Sequence, residues 1–342
     1  SSKISGEKTE NYFAYGSYAI NSDYWVVKLN STGTIVWQKT IGGRSGDYLK
    51  SIQQTTDGGY ILGGTSWSVE NGVHGSSDYW VVKIDATGNV IWKRAIGGND
   101  DEELYSVQQT VDGGYIAAGY SESNITAVSD KTENSRGGGD YWIVKLNSNG
   151  TIAWQKTMGG VFSDILCSLQ QTADSGYILG GYSTSMYISG EKEDVGRGGS
   201  DYWVLKLNSN GTILWQKTMG GLTDDILFCI RQTTDGYILG GYSNSNTSGE
   251  KIGNSRGSHD FWVIKLKEMN ASAIKGKVFQ SKNGNCIQEL NEKGIPYIVV
   301  KTEPKNFYGI SDSIGKYTVY TDTGKYTAKQ IIPKYKLPLF RA

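Results

Sequence analysis

Carboxylates recur at one position of this 342-residue chain, in each case four residues after a pair of glycines. If a symmetric fold brought them together, these acids could ring the mouth of a central channel and bind a cation. The alternative is that each carboxylate accepts backbone N–H groups at the start of a β-strand. The acids are Asp47, Glu102, Asp164 and Asp225, and the glycine pairs are Gly42-Gly43, Gly97-Gly98, Gly159-Gly160 and Gly220-Gly221.

Residues that would form a catalytic set are scarce. The chain has two histidines, His74 and His259, and neither has a Ser or Cys nucleophile motif around it. The acids that depart from the repeat, Asp100, Asp101 and Glu103, lie in one connector without a designated second carboxylate, which glycosidase chemistry requires at roughly 5–10 Å. Three cysteines make neither a disulfide framework nor a CxxC zinc pair. We therefore expect no enzyme, with a polysaccharide hydrolase as the alternative.

The charge balance argues against nucleic acid and anionic membranes as partners. Lys and Arg total 34 and Asp and Glu total 34, so the chain has no basic footprint for nucleic acid or for an anionic membrane surface. No apolar run approaches the roughly 20 residues of a membrane-spanning helix. We expect no nucleic-acid partner and no membrane span.

An internal repeat determines the fold. The phrase DYWVVKL or a close variant occurs five times, and in four units a second Trp follows after 12 residues. Fixed spacings of this kind indicate a fixed structural unit. The repeated phrases begin at Asp23, Asp78, Asp140, Asp201 and Asp260, and the second tryptophans are Trp37, Trp92, Trp154 and Trp215.

Each unit is predicted to form four short strands, A to D, as in SIQQTT, YILGGTS, DYWVVKL and TIVWQKT. Strand C is apolar on both sides, which indicates sheets that are covered on both faces. Repeated four-stranded antiparallel sheets of this type predict an all-β fold, a β-propeller with five visible units and incomplete end blades. Residues 12–18 are predicted as a B strand of the first unit. A β-solenoid is the alternative, disfavoured by the long period and two hairpin turns per unit.

A change in composition marks a domain boundary. All ten Trp lie between Trp25 and Trp262, whereas all four Pro lie between Pro296 and Pro338. We expect a propeller over residues 1–270. Residues 271–342 alternate strand and turn signals, and we expect a small Ig-like or prealbumin-like β-sandwich there.

The B–C loops vary most in length between units, and connections of a meander alternate between its two ends. Long variable loops at one end of a rigid scaffold commonly bind ligands. The alternative is that they are solvated, tolerated insertions. The candidate ligand-binding residues in these loops are Trp67, His74, Asn124, Lys131, Arg136, Tyr187, Lys192, Arg197, Lys251 and Arg256.

Two resemblances concern the repeat. The segment Asp85–Trp92 resembles the tryptophan-docking motif of quinoprotein-type propellers, in which the outer-strand Trp packs against the neighbouring blade. Residues 12–270 resemble the DYW/GG-rich propeller repeats of secreted and surface proteins of Bacteroidota, many exported by type IX secretion. This resemblance implies a secreted or cell-surface location. The incomplete first and last units of the repeat lead us to expect further domains of a longer chain.

Gly276–Pro296 and the following YGISDSIGKYTV resemble carboxypeptidase-regulatory-like and Sdr B-type surface modules. In Sdr-type modules the corresponding loop is a calcium site like that of an EF-hand. The resemblance implies calcium as a cofactor, although Cys286 stands where such loops have Gly and Ser281 where they have Asp. The implied ligands are Ser281, Asn283, Asn285, Glu289 and Glu292.

These observations together favour a non-enzymatic extracellular binding or adhesion protein. Its expected partner is a glycan or a cell-surface protein, bound by the loop-rich face of the propeller. A structural spacer within a longer surface protein is a further alternative.

The calcium site is testable on the intact chain. If the loop binds Ca²⁺ through its oxygen ligands, isothermal titration with millimolar CaCl₂ will show saturable heat. Absence of heat would reject the site.

Overall fold

The computed structural model describes residues 22–267, 272–281, 289, 292–304, 308–321 and 325–330. The described residues up to Thr233 and from Tyr237 to Leu266 form one compact unit, and those from Lys267 onward form a second. The predicted strand over residues 12–18 lies outside the described residues. Within the described part of the chain, no helix is long and apolar enough to cross a membrane.

The first unit is a succession of short strands with one 3₁₀ helix, Val69–Asn71. Aromatic and β-branched residues fill the strands, and Gly-containing turns end them. The strands are β1 (Tyr24–Leu29), β2 (Ile35–Ile41), β3 (Asp47–Gln54), β4 (Tyr60–Ser66), β5 (Asp78–Ile84), β6 (Val90–Ile96), β7 (Glu102–Gln109), β8 (Tyr115–Ser121), β9 (Asp140–Leu146), β10 (Ile152–Met158), β11 (Asp164–Gln171), β12 (Tyr177–Ser183), β13 (Asp201–Leu207), β14 (Ile213–Met219), β15 (Asp225–Thr233), β16 (Gly236–Ser243) and β17 (Asp260–Lys267).

These strands form antiparallel sheets that we number as blades. Blade 2 (β3–β6), blade 3 (β7–β10) and blade 4 (β11–β14) each have four strands in sequence order. Among the described residues, blade 1 has β1 and β2, and blade 5 has β15, β16 and β17. The repeat of four-stranded antiparallel sheets is therefore confirmed.

The innermost strands of blades 2 to 5 meet at one cavity of about 300 Å³. Its lining comes from β3, β7, β11 and β15, which places these strands around a common axis, as in a propeller. The lining residues are Ser51, Ile52, Gln53, Ser106, Val107, Gln108, Leu169, Gln170 and Arg231.

Glutamine side chains connect each innermost strand to the next. The backbone N–H of Gln109 donates to Gln53 Oε1 at 2.6 Å, and Gln109 Oε1 in turn accepts the Thr56 N–H at 2.8 Å. The same reciprocal pair recurs between blades 3 and 4 and between blades 4 and 5. At each of these junctions, a glutamine from each of the two neighbouring blades accepts a backbone N–H of the other blade. These N–H groups are not paired within their own sheet.

Each blade is joined to the next by a buried Tyr–Trp contact from neighbouring strands C. The ring of Tyr141 lies 4.7 Å from that of Trp203, and its hydroxyl donates to the Trp203 carbonyl at 2.9 Å. Both side chains are fully buried. The same pairing joins Tyr24 to Trp80, Tyr79 to Trp142, and Tyr202 to Trp262.

The tryptophan of each outer strand also packs on the following blade. Trp154 lies edge-on to Tyr177 with ring centroids 5.9 Å apart, and Trp215 lies 5.8 Å from Tyr237. Because both faces of strand C are covered by neighbouring blades, β5, β9 and β13 are buried along their whole length. This explains why strand C lacks the alternation of a half-exposed strand.

The second unit is a small β-sandwich, as predicted. Its core consists of Val278, Val300 and Val319. One sheet pairs β18 with β21, and the other has the order β20-β19-β22. These strands are β18 (Ser272–Lys277), β19 (Val299–Glu303), β20 (Tyr308–Ile310), β21 (Lys316–Thr321) and β22 (Thr327–Gln330).

The substitution Tyr141→Phe tests the blade contact. It removes one buried hydroxyl and leaves the Trp203 carbonyl with one donor fewer, so we expect the unfolding free energy to fall by about 1 kcal/mol. Equilibrium denaturation measures this change. Tyr187→Phe, at an exposed hydroxyl, is the matched control, and equal stability of the two variants would contradict the contact's role.

Candidate functional site

The B–C loops and the D–A connectors lie at the same end of the blades, which we call the loop face. Backbone N–H groups of the connectors donate to serines of the loops, as Phe162 does to Ser185 Oγ at 3.0 Å. Thr223 makes the same bond to Ser245 at 3.1 Å, and Asp100 to Ser123 at 2.9 Å. The loop face is therefore one continuous surface with a regular hydrogen-bonded base.

The recurring acids of the connectors lie within this base, so their expected placement at an open channel mouth is corrected. Each begins an innermost strand and is at most 1% exposed. The second glycine of each pair donates its N–H to the acid, as Gly160 does to Asp164 at 2.7 Å, and Ser185 adds its hydroxyl at 3.2 Å. Asp47, Glu102 and Asp225 make the same glycine contact. The alternative considered from the sequence, backbone N–H acceptance at a strand start, describes them.

The aspartate that begins strand C provides a second buried carboxylate. Its Oδ2 accepts the N–H of the residue four positions earlier, as Asp201 does from Arg197 at 2.7 Å. Burial raises the pKa of Asp201 to about 6, and the charge of Asp225 adds to the shift. For Asp78 and Asp140, burial and the neighbouring acid raise the pKa to about 7.

Buried lysines lie beside these acids. Burial lowers the pKa of Lys131 to about 8, against the opposing charges of Glu102 and Asp140. Its amine donates to Ser121 Oγ at 2.9 Å. Lys192 donates to Thr218 Oγ1 at 2.9 Å, and Lys251 to the Ser245 carbonyl at 2.9 Å. These three predicted ligand-binding lysines are therefore interior groups that hold the loops to their own blade.

Two arginines that were predicted to bind a ligand connect the B–C loops of neighbouring blades. Arg136 of blade 3 pairs with Glu191 of blade 4 at 2.5 Å, and Arg197 of blade 4 pairs with Glu250 of blade 5 at 2.8 Å. Each glutamate also accepts a glycine N–H at 3.2 Å. The pairs are partly exposed, so their main effect is to fix loop geometry rather than to add much stability.

The remaining predicted loop residues differ in exposure. Trp67 packs edge-on against Tyr48, with ring centroids 5.3 Å apart. The Nδ1 atom of His74 lies 3.5 Å from Asp78 Oδ2. Asn124, Tyr187 and Arg256 are exposed and available to a ligand.

The predicted calcium ligands are only partly described. Asn283 and Asn285 lie outside the described residues, as does Cys286. Ser281 is exposed, while the buried Glu292 carboxylate accepts the Glu289 N–H at 3.1 Å. Within the described ranges, no group of three His, Cys, Asp or Glu side chains is arranged to hold a metal ion.

One exposed feature of the loop face departs from the repeat. Val161 and Phe162 lie in the connector that precedes blade 4. Met186, Tyr187 and Ile188 lie in the B–C loop of blade 4. Hydrogen bonds from the Val161 N–H to Ser189 Oγ and from the Phe162 N–H to Ser185 Oγ tie the two segments together. All five side chains are between 45% and 65% exposed. We call this set, Val161, Phe162, Met186, Tyr187 and Ile188, the apolar patch.

Tyr187 was predicted from the sequence as a ligand-binding residue, and the other four residues were not. Comparison of the repeat units shows that these residues depart from the repeat. Blade 5 has Asn246-Thr247 between Ser245 and Ser248, where blade 4 has Met-Tyr-Ile between its corresponding serines. The connector Val161-Phe162 likewise corresponds to Leu222-Thr223.

The acids that depart from the repeat, Asp100, Asp101 and Glu103, lie near a further carboxylate in the structure. Glu122, the residue that follows β8, has its pKa raised by burial and by the charges of Asp101, Asp100 and Glu103. Tyr105 donates its hydroxyl to Glu103 at 2.8 Å. The carboxylates are therefore close enough to interact, which the sequence did not predict.

Comparisons with known proteins assign no family. No family model and no curated protein matches the chain. Among solved structures, a mutant levansucrase of B. megaterium is 9% identical, covers 81% of this chain and 69% of its own, and has a TM-score of 0.32. A mutant apocarotenoid oxygenase of Synechocystis is 8% identical, with 89% and 70% covered and a TM-score of 0.33. Similarities at this level establish neither kinship nor activity.

The raised pKa of Asp140 predicts a pH dependence of stability. The folded protein retains this proton between about pH 4 and about pH 7, where the unfolded chain loses it, so the unfolding free energy falls as pH rises through that window. Asp140→Asn cannot ionise, and we expect a flatter dependence when denaturation is compared at about pH 5 and about pH 7.5. Asp112→Asn, at an exposed acid of an A–B turn, is the control. An unchanged slope in Asp140→Asn would contradict the assignment.

Proposed function

We propose that this protein is a non-enzymatic binding or adhesion protein, secreted or at the cell surface, whose loop face recognises a protein or glycan. The observation that carries the proposal is the apolar patch. Two aromatic and three other apolar side chains are exposed on two hydrogen-bonded segments of a face rich in Ser, Asn, Gly and charged residues. Exposed apolar clusters with a polar rim are typical of interaction sites.

The scaffold beneath the patch supports this proposal. Ser185 and Ser189 hold the two segments at both ends of Met186–Ile188, and Ser185 is itself bonded to the buried Asp164. A patch held in this way loses little conformational freedom on binding, which favours affinity.

The composition of the patch favours a protein ligand. Aliphatic side chains such as Val161, Met186 and Ile188 gain most from burial against another apolar surface. Tyr187 and Phe162 add the large rigid contacts that are common at the centre of protein interfaces. Stacking of a sugar ring on the same aromatic side chains is the glycan alternative.

The axial cavity is lined mainly by neutral side chains. Its described lining consists of Ser, Gln, apolar residues and Arg231, without a carboxylate among them. A glycosidase mechanism of the common type needs two carboxyl groups at the scissile bond.

A polysaccharide hydrolase is the second candidate, and the cluster around Glu122 favours it. A carboxyl group whose pKa is raised by burial and by neighbouring acids is a common arrangement for a general acid. Incubation of the chain with a panel of polysaccharides, read by release of reducing ends, distinguishes the two candidates. Release that Glu122→Gln abolishes would replace the binding proposal.

The binding proposal is tested with the labelled full chain on a glycan array and an array of extracellular proteins. A double variant, Phe162→Ser with Tyr187→Ser, removes both aromatic side chains of the patch. We expect it to bind at least about tenfold more weakly than the unmodified chain, because large aromatic side chains contribute most at such interfaces.

Val111→Ser is the matched control, since Val111 is 81% exposed in an A–B turn at the opposite end of the blades. It should bind normally, and all chains should unfold at the same denaturant concentration. Equal binding by the double variant would contradict the proposal, and absence of binding to either array would favour the spacer role.

A further inference from the structure

The third strand of blade 5, β17, has an open side. Among the described residues, it is hydrogen-bonded to β16, whereas in blades 2, 3 and 4 the equivalent strand lies between two neighbours. Phe261 is 96% exposed and Val263 is 62% exposed, although their counterparts in β13, Tyr202 and Val204, are fully buried. A groove of about 610 Å³ runs along this strand, between Asp260–Lys265 and the loop Glu250–Arg256.

In blade 4 the corresponding groove is filled by the outer strand β14. The side chain of Gln216 donates to the Glu191 carbonyl at 2.6 Å and accepts the Trp203 indole N–H at 3.0 Å. Two positions later, the Thr218 carbonyl accepts from Arg197 at 3.2 Å. The loop and strand C together therefore form a receptor for the Gln-Lys-Thr of an outer strand.

Blade 3 uses the same arrangement. Gln155 donates to the Asp130 carbonyl at 2.5 Å and accepts the indole N–H of Trp142 at 3.0 Å. The Thr157 N–H donates to Glu133 at 2.7 Å. The recognition of an outer strand by its B–C loop is thus a recurring interface of this fold.

The loop of blade 5 has the conformation of the blade 4 loop. Ser248 and Lys251 form the same isolated bridge as Ser189 and Lys192, and Gly249 has φ +56° where Gly190 has +57°. The counterpart of Arg197 is Arg256, whose backbone N–H likewise bonds to the aspartate that begins strand C. One difference is Gly253, which replaces Asp194 and removes one acceptor.

We infer that the groove beside β17 binds one extended strand of a partner protein that carries a Trp-Gln-Lys-Thr segment like those of this chain. The backbone of such a segment would extend the sheet of blade 5, as in other cases of β-strand addition. In the register of β13 with β14, Tyr202 stands opposite Met219 and Val204 opposite Lys217. In the same register, Phe261 would stand opposite the residue after the Thr of the segment, and Val263 opposite its Lys.

The occupant follows from the shape and chemistry of the groove. It lies along the edge of β17, and its loop contains the carbonyl position that accepts from Gln in blades 3 and 4 and the arginine position that donates to the Thr carbonyl in blade 4. This surface is distinct from the apolar patch, so the inference does not depend on the proposed function.

The experiment uses the full chain and a fluorescein-labelled peptide with the sequence of residues 211–221, followed by anisotropy. We expect saturable binding, about tenfold weaker for a peptide in which Leu and Val replace its Gln and Thr, because the side-chain contacts that Gln216 and the Thr218 hydroxyl make in blade 4 are removed. Arg256→Ala should weaken binding of the original peptide by a similar factor. Arg231→Ala, in the axial cavity, is the matched control and should bind normally.

Hydrogen exchange identifies the place of binding. The peptide should slow exchange in residues 250–267 and leave blades 1 to 4 unchanged. Equal affinity of a scrambled peptide, protection confined to other blades, or no binding at millimolar peptide would each overturn the inference.

Discussion

The structure depends on one constraint: a β-sheet that is apolar on both faces must be covered by another sheet on each side. The repeat meets it in strands C of blades 2 to 4, each of which has a tyrosine that packs on the next blade and a tryptophan that packs on the previous one. The Tyr141–Trp203 contact and the docking of Trp154 on Tyr177 are copies of one solution. Because the contacting side chains of two neighbouring blades must lie at matching positions, their spacing is fixed along the chain.

The polar residues of the repeat serve the same purpose at the ends of the blades. Asp164 collects a glycine N–H and a serine hydroxyl, and the amine of Lys192 lies buried in the same blade. Such groups are expensive to bury without partners, so they hold the loops in one arrangement. A residue that recurs in every blade is therefore explained by packing. The freedom to recognise a ligand remains with residues that depart from the repeat, above all Met186, Tyr187 and Ile188.

Much of the fold could be predicted from the sequence, because the aromatic spacing records the period of the sheets directly. The site was harder to predict. Charged residues such as Lys131 and Arg197 have the composition of solvated loops, and spacing alone does not show that one is buried and the other is paired with the next blade. The apolar patch could not be predicted from the sequence for another reason. Val161 and Met186 are 25 positions apart, and only the hydrogen bonds between connector and loop bring their segments together.

Native-state hydrogen exchange of the intact chain tests the central claim, that recurring groups hold the loop face rigid and leave the irregular residues exposed. The account predicts slow exchange for the amides of Gly98, Gly160 and Gly221, although they lie outside strands, because each donates to a buried carboxylate. It predicts fast exchange for Met186–Ile188. Exchange of the three glycine amides as fast as that of Met186–Ile188 would contradict it.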